Sequence, residues 1–272
     1  MKVFISVDME GISGLVHWSQ VEVGGKEHGW ARQMMAADAN AAIEGVLAAG
    51  ATEVVVNDAH SQMRNLLPLE LHRDARLVSG SFKPLSMMEG IDETFDQAFL
   101  IGYHARAGAP GVLSHTYSSV LHELRVNGRP AGETALNAAV AGVHGVPVTL
   151  VTGDRAVAEE AREYLGDVET VAVKAARGRF SASCLHPEAA RDLIRSAAIR
   201  AVGLAGSARP FSYSPPYIFE MTFADPGMAE AALLVPGAER LDGCAVRYRD
   251  EDFLRAFKAM RAMIALAITT TV

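Results

Sequence analysis

Val3-Phe4-Ile5-Ser6-Val7 runs straight into Asp8-Met9-Glu10, and this junction decides how the chain folds. A short apolar run bounded in this way reads as a buried strand, and carboxylates follow it at once. The pattern recurs twice. Val54-Val55-Val56-Asn57 leads into Asp58-Ala59-His60, and Ala98-Phe99-Leu100-Ile101-Gly102-Tyr103 leads into His104. In an open α/β sheet, ligands bind in the crevice beyond the carboxyl ends of parallel strands. Side chains far apart in sequence can therefore meet there.

Residues 27–49 are helical in pattern, rich in Ala and Met, with Gly50 as a stop signal. Residues 123–128 read as a strand entering a turn, and a helix runs from Glu133 to Val143 until Gly145-Val146-Pro147 ends it. Val148-Thr149-Leu150-Val151 is a further buried strand. Strands alternating with helices predict an α/β fold, a mostly parallel sheet with flanking helices. The character changes after about Lys174. Helical patterns at 186–204, 226–234 and 251–266 alternate with strand patterns at 217–223 and 244–248. The expected organisation is a metal-binding catalytic α/β domain at 1–175 and a smaller α+β domain at 176–272.

The chain has 272 residues, half of them hydrophobic, enough for a substantial core in one large domain or two smaller ones. The net charge of −7 and the lack of a Lys/Arg-rich run speak against a nucleic-acid partner. Cys184 and Cys244 cannot form a disulfide framework and match no zinc spacing, which fits a reducing cytosol. The N-terminal apolar run spans about five residues, short of the roughly 7–15 of a secretory signal. The segment 257–272 carries Lys258 and Arg261 and falls short of the roughly 20 apolar residues of a membrane span. The expectation is a cytoplasmic protein with no membrane partner.

Carboxylates and imidazoles without cysteine suit zinc or a similar divalent ion. Asp8 and Glu10 point to one face if the chain stays extended past Val7, and two carboxylates there repel unless a cation sits between them. Asp58 and His60 share that spacing, but an Asp after a strand also serves in helix caps and Asx-turns. His60 is therefore the favoured ligand, with Asp58 orienting an imidazole from behind. His104 ends an apolar strand. Glu133 opens a helix, where the helix dipole also favours its charge. His115 lies in a Gly-rich loop and can act as base, nucleophile or ligand. Ser114 beside it lacks a Gly-x-Ser-x-Gly elbow. No His-Glu-x-x-His helix and no Gly-x-x-x-x-Gly-Lys loop occurs. The remaining histidines read as surface or capping groups, and Met34, Met35, Met87, Met88, Met260 and Met263 as core filler.

At these residues the chain resembles the zinc D-aminopeptidases of bacterial dipeptide-transport operons. The matching segments are 6–14 (Ser-Val-Asp-Met-Glu-Gly-Ile-Ser-Gly), 56–61, 102–107, 110–115 and Gly132-Glu133, and the likeness extends to Lys83-Pro84 and 226–230. The resemblance implies two zinc ions per chain. Asp8 would bridge them, Glu10 and His60 would complete one site, and His104 and Glu133 the other. It also implies His115 as the catalytic residue and a ring-shaped homodecamer with active sites facing an inner chamber. The likeness is loosest at Thr116-Tyr117-Ser118-Ser119-Val120, a loop that can shape the pocket and alter the substrate. The reading is thus a metallo-aminopeptidase acting on short peptides with N-terminal D-residues. A different metal-dependent hydrolase on the same scaffold, such as an amidase or phosphoesterase, is one alternative. A non-catalytic peptide-binding protein linked to a transporter is the other.

Overall fold

The computed structural model describes residues 1–271. The first half holds β1 (Lys2–Val7), α1 (Trp18–Val21), α2 (His28–Ala48), β2 (Glu53–Asp58), β3 (Ala75–Val78), β4 (Gln97–Tyr103), β5 (Leu121–Val126) and β6 (Arg129–Pro130). Then come α3 (Glu133–Val143), β7 (Val148–Asp154), α4 (Arg155–Leu165), β8 (Glu169–Gly178), β9 (Ser181–Cys184) and α5 (Pro187–Val202). The chain closes with β10 (Tyr217–Phe223), α6 (Pro226–Ala232), β11 (Ala238–Arg240), β12 (Ala245–Asp250) and α7 (Phe253–Ile268).

The large sheet has the order β3-β2-β1-β4-β7-β8-β9, and every pairing except β8 with β9 is parallel. This is the mostly parallel sheet with flanking helices that the alternation predicted. Its strands are apolar on both faces because both faces are covered. Along β1, Val3, Ile5 and Val7 join the core formed with α2 and α5, while Phe4 faces the other core with α3, α4 and α7. The methionines at 34, 35, 87, 88, 260 and 263 are all buried in these two cores.

A second sheet, antiparallel, has the order β11-β12-β10-β5-β6. Here the structure departs from the expected cut at residue 175. That position lies inside β8, and β8, β9 and α5 all belong with the large sheet. Conversely, β5 and β6 leave the first half to pair with the C-terminal strands, in register Leu124 to Met221. The reason is that β5 carries its own hairpin. Asn127 and Gly128 both have positive φ, 52° and 77°, as a two-residue primed turn requires. The hairpin's outer edge is then completed by β10, whose alternating pattern suits a half-exposed sheet. Helix α4 follows directly on β7, with Asp154 accepting from Val157 N at 2.9 Å as its N-cap.

The loop that leaves β1 is pressed against β4. Gly11 N donates to Gly102 O at 2.7 Å, and a Cβ added at Gly11 would lie 1.9 Å from Tyr103 O. Only a residue without a side chain permits that approach. Gly11→Ala should therefore force the backbone apart and cost at least the roughly 1–3 kcal/mol of overpacking, lowering Tm by several degrees in thermal unfolding. An unaltered Tm would show that the loop is not held this tightly.

Candidate metal centre

Parallel pairing brings the site together. β1 lies between β2 and β4, with Val7 level with Asp58 and Ile101. The three strands therefore end side by side, and the residues that follow them, Asp8 and Glu10, His60, and His104, converge over one edge. Glu133 joins them from the first turn of α3, packed against the same edge. All five are buried.

Asp8 sits between two imidazoles. Its Oδ1 is 3.3 Å from His60 Nδ1, and its Oδ2 is 3.4 Å from His104 Nε2. Glu10 Oε2 lies 2.9 Å from His60 Nδ1, and Glu133 Oε2 lies 3.3 Å from His104 Nε2. The ring nitrogens that face outward have fixed roles, because a carbonyl can only accept. His60 Nε2 donates to Val21 O at 2.8 Å, and His104 Nδ1 donates to Ala105 O at 3.0 Å. His115 Nδ1 donates to Leu113 O at 2.9 Å. In the neutral form each ring thus presents its lone-pair nitrogen inward, the arrangement of metal-ligating histidines whose other N–H is anchored.

His115 is stacked on His104 with centroids 4.1 Å apart and planes 8° from parallel, and Trp18 meets it edge-on at 5.4 Å. Its loop is less free than its glycines imply. Val112 N donates to Asp154 Oδ2 at 2.7 Å, and Leu113 N donates to Arg179 O at 2.9 Å.

Burying three carboxylates together is costly, and the imidazoles answer it. Burial and the adjacent Glu10 raise the Asp8 carboxyl above its usual range. Burial would raise Glu10 as well, but the neighbouring His60 ring outweighs it and holds Glu10 well below that range. Glu133 is lowered in the same way, His104 overcoming its burial. Burial alone would depress the His60 and His104 rings, yet the facing carboxylates raise both. His115 goes the other way. Burial and the stacked His104 push it below its ordinary value.

The donor set fits a divalent metal. Asp8 Oδ2, Glu10 Oε2 and His104 Nε2 are buried with no hydrogen-bond partner, although each lies close to an opposite group. Buried polar atoms left in that state cost roughly 1–3 kcal/mol each unless something else satisfies them. The donor atoms of Asp8, Glu10 and His104 lie within 4.8 Å of one another, and so do those of His104, His115 and Glu133. Oxygen and imidazole donors of this kind suit zinc.

Asp58 has a different task from the one its spacing implied. Its carboxylate touches no imidazole. It accepts from Leu66 N at 2.7 Å, Asn65 Nδ2 at 3.0 Å and Asn65 N, and Asn65 Nδ2 also donates to His60 O at 2.8 Å. Asp58 therefore fixes the loop that carries His60. Two buried lysines hold the strand ends from below. Lys174 Nζ donates to Glu10 O at 2.6 Å, to Ile12 O at 2.9 Å and to Leu15 O. Lys83 Nζ donates to Asp58 O at 2.8 Å, Val78 O at 3.0 Å and Asn57 Oδ1. A single lysine inside the apolar stretch Val171-Ala172-Val173-Lys174 was the available signal for the first. Of the other histidines, His17 and His186 cap α1 and α5.

The centre opens into a cavity of about 680 Å³. Tyr117, Ser118 and Ser119 form part of its wall, so the loop at 116–120 does shape it. Glu22, Ser86 and, from α7, Arg261 and Ile264 complete much of the rest.

A family model described as D-aminopeptidase matches residues 1–262. The D-aminopeptidase of Bacillus subtilis (strain 168) is 42% identical over 272 residues, which is 100% of this chain and 99% of that protein. The solved structure of the Zn-dependent D-aminopeptidase DppA from Bacillus subtilis, a self-compartmentalizing protease, aligns with a TM-score of 0.97 at 41% identity over 100% of both chains. With the fold, the full length and the site region all in agreement, the chain belongs to the D-aminopeptidase family.

Proposed function

We propose that this protein is a cytoplasmic zinc aminopeptidase that removes N-terminal D-amino acids from short peptides. The observation that carries the reading is the buried cluster of Asp8, Glu10, His60, His104 and Glu133, with orphaned donor atoms facing one another in a chain of the D-aminopeptidase family. The two oxygens of Asp8 face different imidazoles, which supports Asp8 as the bridge of a two-zinc site. Glu10 and His60 would then hold one ion, and His104 and Glu133 the other. Bound divalent ions supply Lewis acidity, polarising the scissile carbonyl and activating water at neutral pH.

The chain's own residues do the rest. Glu22, the lining carboxylate outside the proposed ligand set, faces the cavity that receives the peptide's N-terminus. His115 lines the same cavity, and its Nδ1 proton is committed to Leu113 O. That leaves Nε2 as the free ring atom, ready to take a proton from water and return it to the leaving amine. Among the described residues no helix is long and apolar enough to cross a membrane, and both cysteines are free, which supports the cytoplasmic placement. Exposed Leu69, Phe82 and Leu234, the last at 73%, support assembly into a homodecameric ring, in line with the self-compartmentalizing relative.

Protein purified without chelator should carry two zinc ions per chain by elemental analysis and release N-terminal D-residues from short peptides. Asp8→Ala should lose both ions and the activity together, while Glu133→Ala should chiefly empty one position. Turnover of phosphate esters with no peptide release would overturn the peptidase reading. Full metal content in Asp8→Ala would overturn the bridge.

His115→Ala should retain both zinc ions while kcat falls by roughly 10²–10⁴-fold, the usual worth of a general acid–base group. Loss of zinc would make His115 a ligand, as its proximity to His104 and Glu133 allows. An unaltered kcat would remove it from catalysis.

Sedimentation velocity at micromolar concentration should show a single large species with the mass of about ten chains. A monomer would refute the ring.

A further inference from the structure

The wall of the cavity is electrically lopsided. Asp8, Glu10, Glu22 and Glu133 line it, and Arg261 is the one Lys or Arg among its lining residues. Arg261 comes from the middle of α7, within the C-terminal segment that packs against the small sheet. Nothing in the parallel sheet requires a cation there.

The guanidinium is held firmly but left unneutralised. Its central carbon lies 4.9 Å over the ring of Tyr117, and Nη1 donates to Ser86 Oγ. No carboxylate lies within ion-pair distance of Arg261 among the described residues, while ten of the other nineteen arginines have such a partner. A guanidinium carries five N–H donors in a rigid fork shaped for a carboxylate, and here the Ser86 bond uses one. The remaining donors sit on a half-buried side chain at the edge of the cavity.

The support under Arg261 is built into the site. Tyr117 N donates to Glu133 Oε1, and Tyr117 OH donates to Asn137 Oδ1 at 3.0 Å. Asn137 Nδ2 donates to Tyr103 OH at 2.9 Å, and Tyr103 OH donates to Ser6 Oγ at 2.7 Å, which passes its own proton to Met87 O at 2.6 Å. One directed chain thus fixes the tyrosine that carries the cation relative to the carboxylate cluster. Tyr117 links the two groups, its backbone N–H on Glu133 and its ring beneath the guanidinium.

We propose that Arg261 binds the C-terminal carboxylate of the substrate, so that the cavity reads a short peptide at both ends: the N-terminal residue at the metal centre, the carboxylate at α7. This rests on the aminopeptidase reading and specifies its substrate as a short peptide with a free C-terminus. A chain that continues past the cavity, or ends in an amide, leaves the guanidinium unpaired.

The test compares a D-alanyl dipeptide as the free acid with the same dipeptide as its C-terminal amide. Both are offered to zinc-loaded wild type, Arg261→Gln and Arg261→Lys. Wild type should favour the acid in kcat/KM by roughly 10–100-fold, chiefly through KM, as expected for hydrogen bonds to a charged group. Arg261→Gln should bring the acid-to-amide ratio close to one, and Arg261→Lys should restore part of it. Calorimetry with an uncleavable dipeptide, its peptide bond reduced to a methylene-amine, should show the same acid preference in binding and its loss in Arg261→Gln. Zinc content and Tm identify a variant that has merely misfolded. In that event the acid-to-amide comparison on wild type, in turnover and in binding, decides alone. Equal handling of acid and amide by wild type, or a parallel fall of both in a folded Arg261→Gln, would overturn the assignment. Failure of wild type to cleave either peptide would instead overturn the aminopeptidase reading beneath it.

Discussion

Three carboxylates share one buried pocket, and the rest of the molecule is arranged around that fact. Asp8, Glu10 and Glu133 would each repel the others, and burial removes the water that would otherwise screen them. Two imidazoles, His60 and His104, are interleaved with the carboxylates at 2.9–3.4 Å, each with its outer N–H tied to a backbone carbonyl. That geometry suits ligation better than hydrogen bonding, because the inward atoms are close and yet three of them lack a hydrogen-bond partner. A protein that needed only stability would have no reason to retain such a cluster.

Holding like charges together demands a rigid frame, and the frame is made of backbone. Lys174 and Lys83 each direct an ammonium group, three donors, at oxygen atoms of the segments that follow or flank β1 and β2. Asp58 gathers the N–H groups of the loop bearing His60. Gly11 lets the first ligand loop lie directly on the end of β4. The Lys174 and Gly11 contacts join segments distant in sequence, while Asp58 braces its own loop, so the site is as well defined as the packing of the sheet itself.

The smaller antiparallel sheet supplies a wall rather than chemistry. Because β5 leaves the first half of the chain to pair with β10, the segment between β4 and α3 is stretched across the cavity mouth, and His115 and Tyr117 are carried on it. Helix α7 closes the other side with Ile264, Ile268 and Arg261. Buried acidic and imidazole groups from the strand ends thus face side chains of the C-terminal helix across the cavity.

The sequence by itself determined the parallel sheet, the strands that build its centre, and the metal-type residues at their ends. Those signals are local: an apolar run followed within three residues by a ligand shows itself in a single line of text. The same local chemistry favoured His60 over Asp58 as the candidate ligand, and the structure sets His60 beside Asp8 and Glu10; the work Asp58 does on the loop at 60–66 was not legible. The tertiary structure alone decided the rest. It assigned β5 and β6 to the second sheet, because edge pairing between residues about 95 positions apart leaves no local trace. It placed Lys174 beneath Glu10 and Arg261 beside Tyr117, because what a lone charge faces depends on how distant elements pack. A ligand at a strand end is announced by its own strand, but a partner across a cavity is known only once both walls stand.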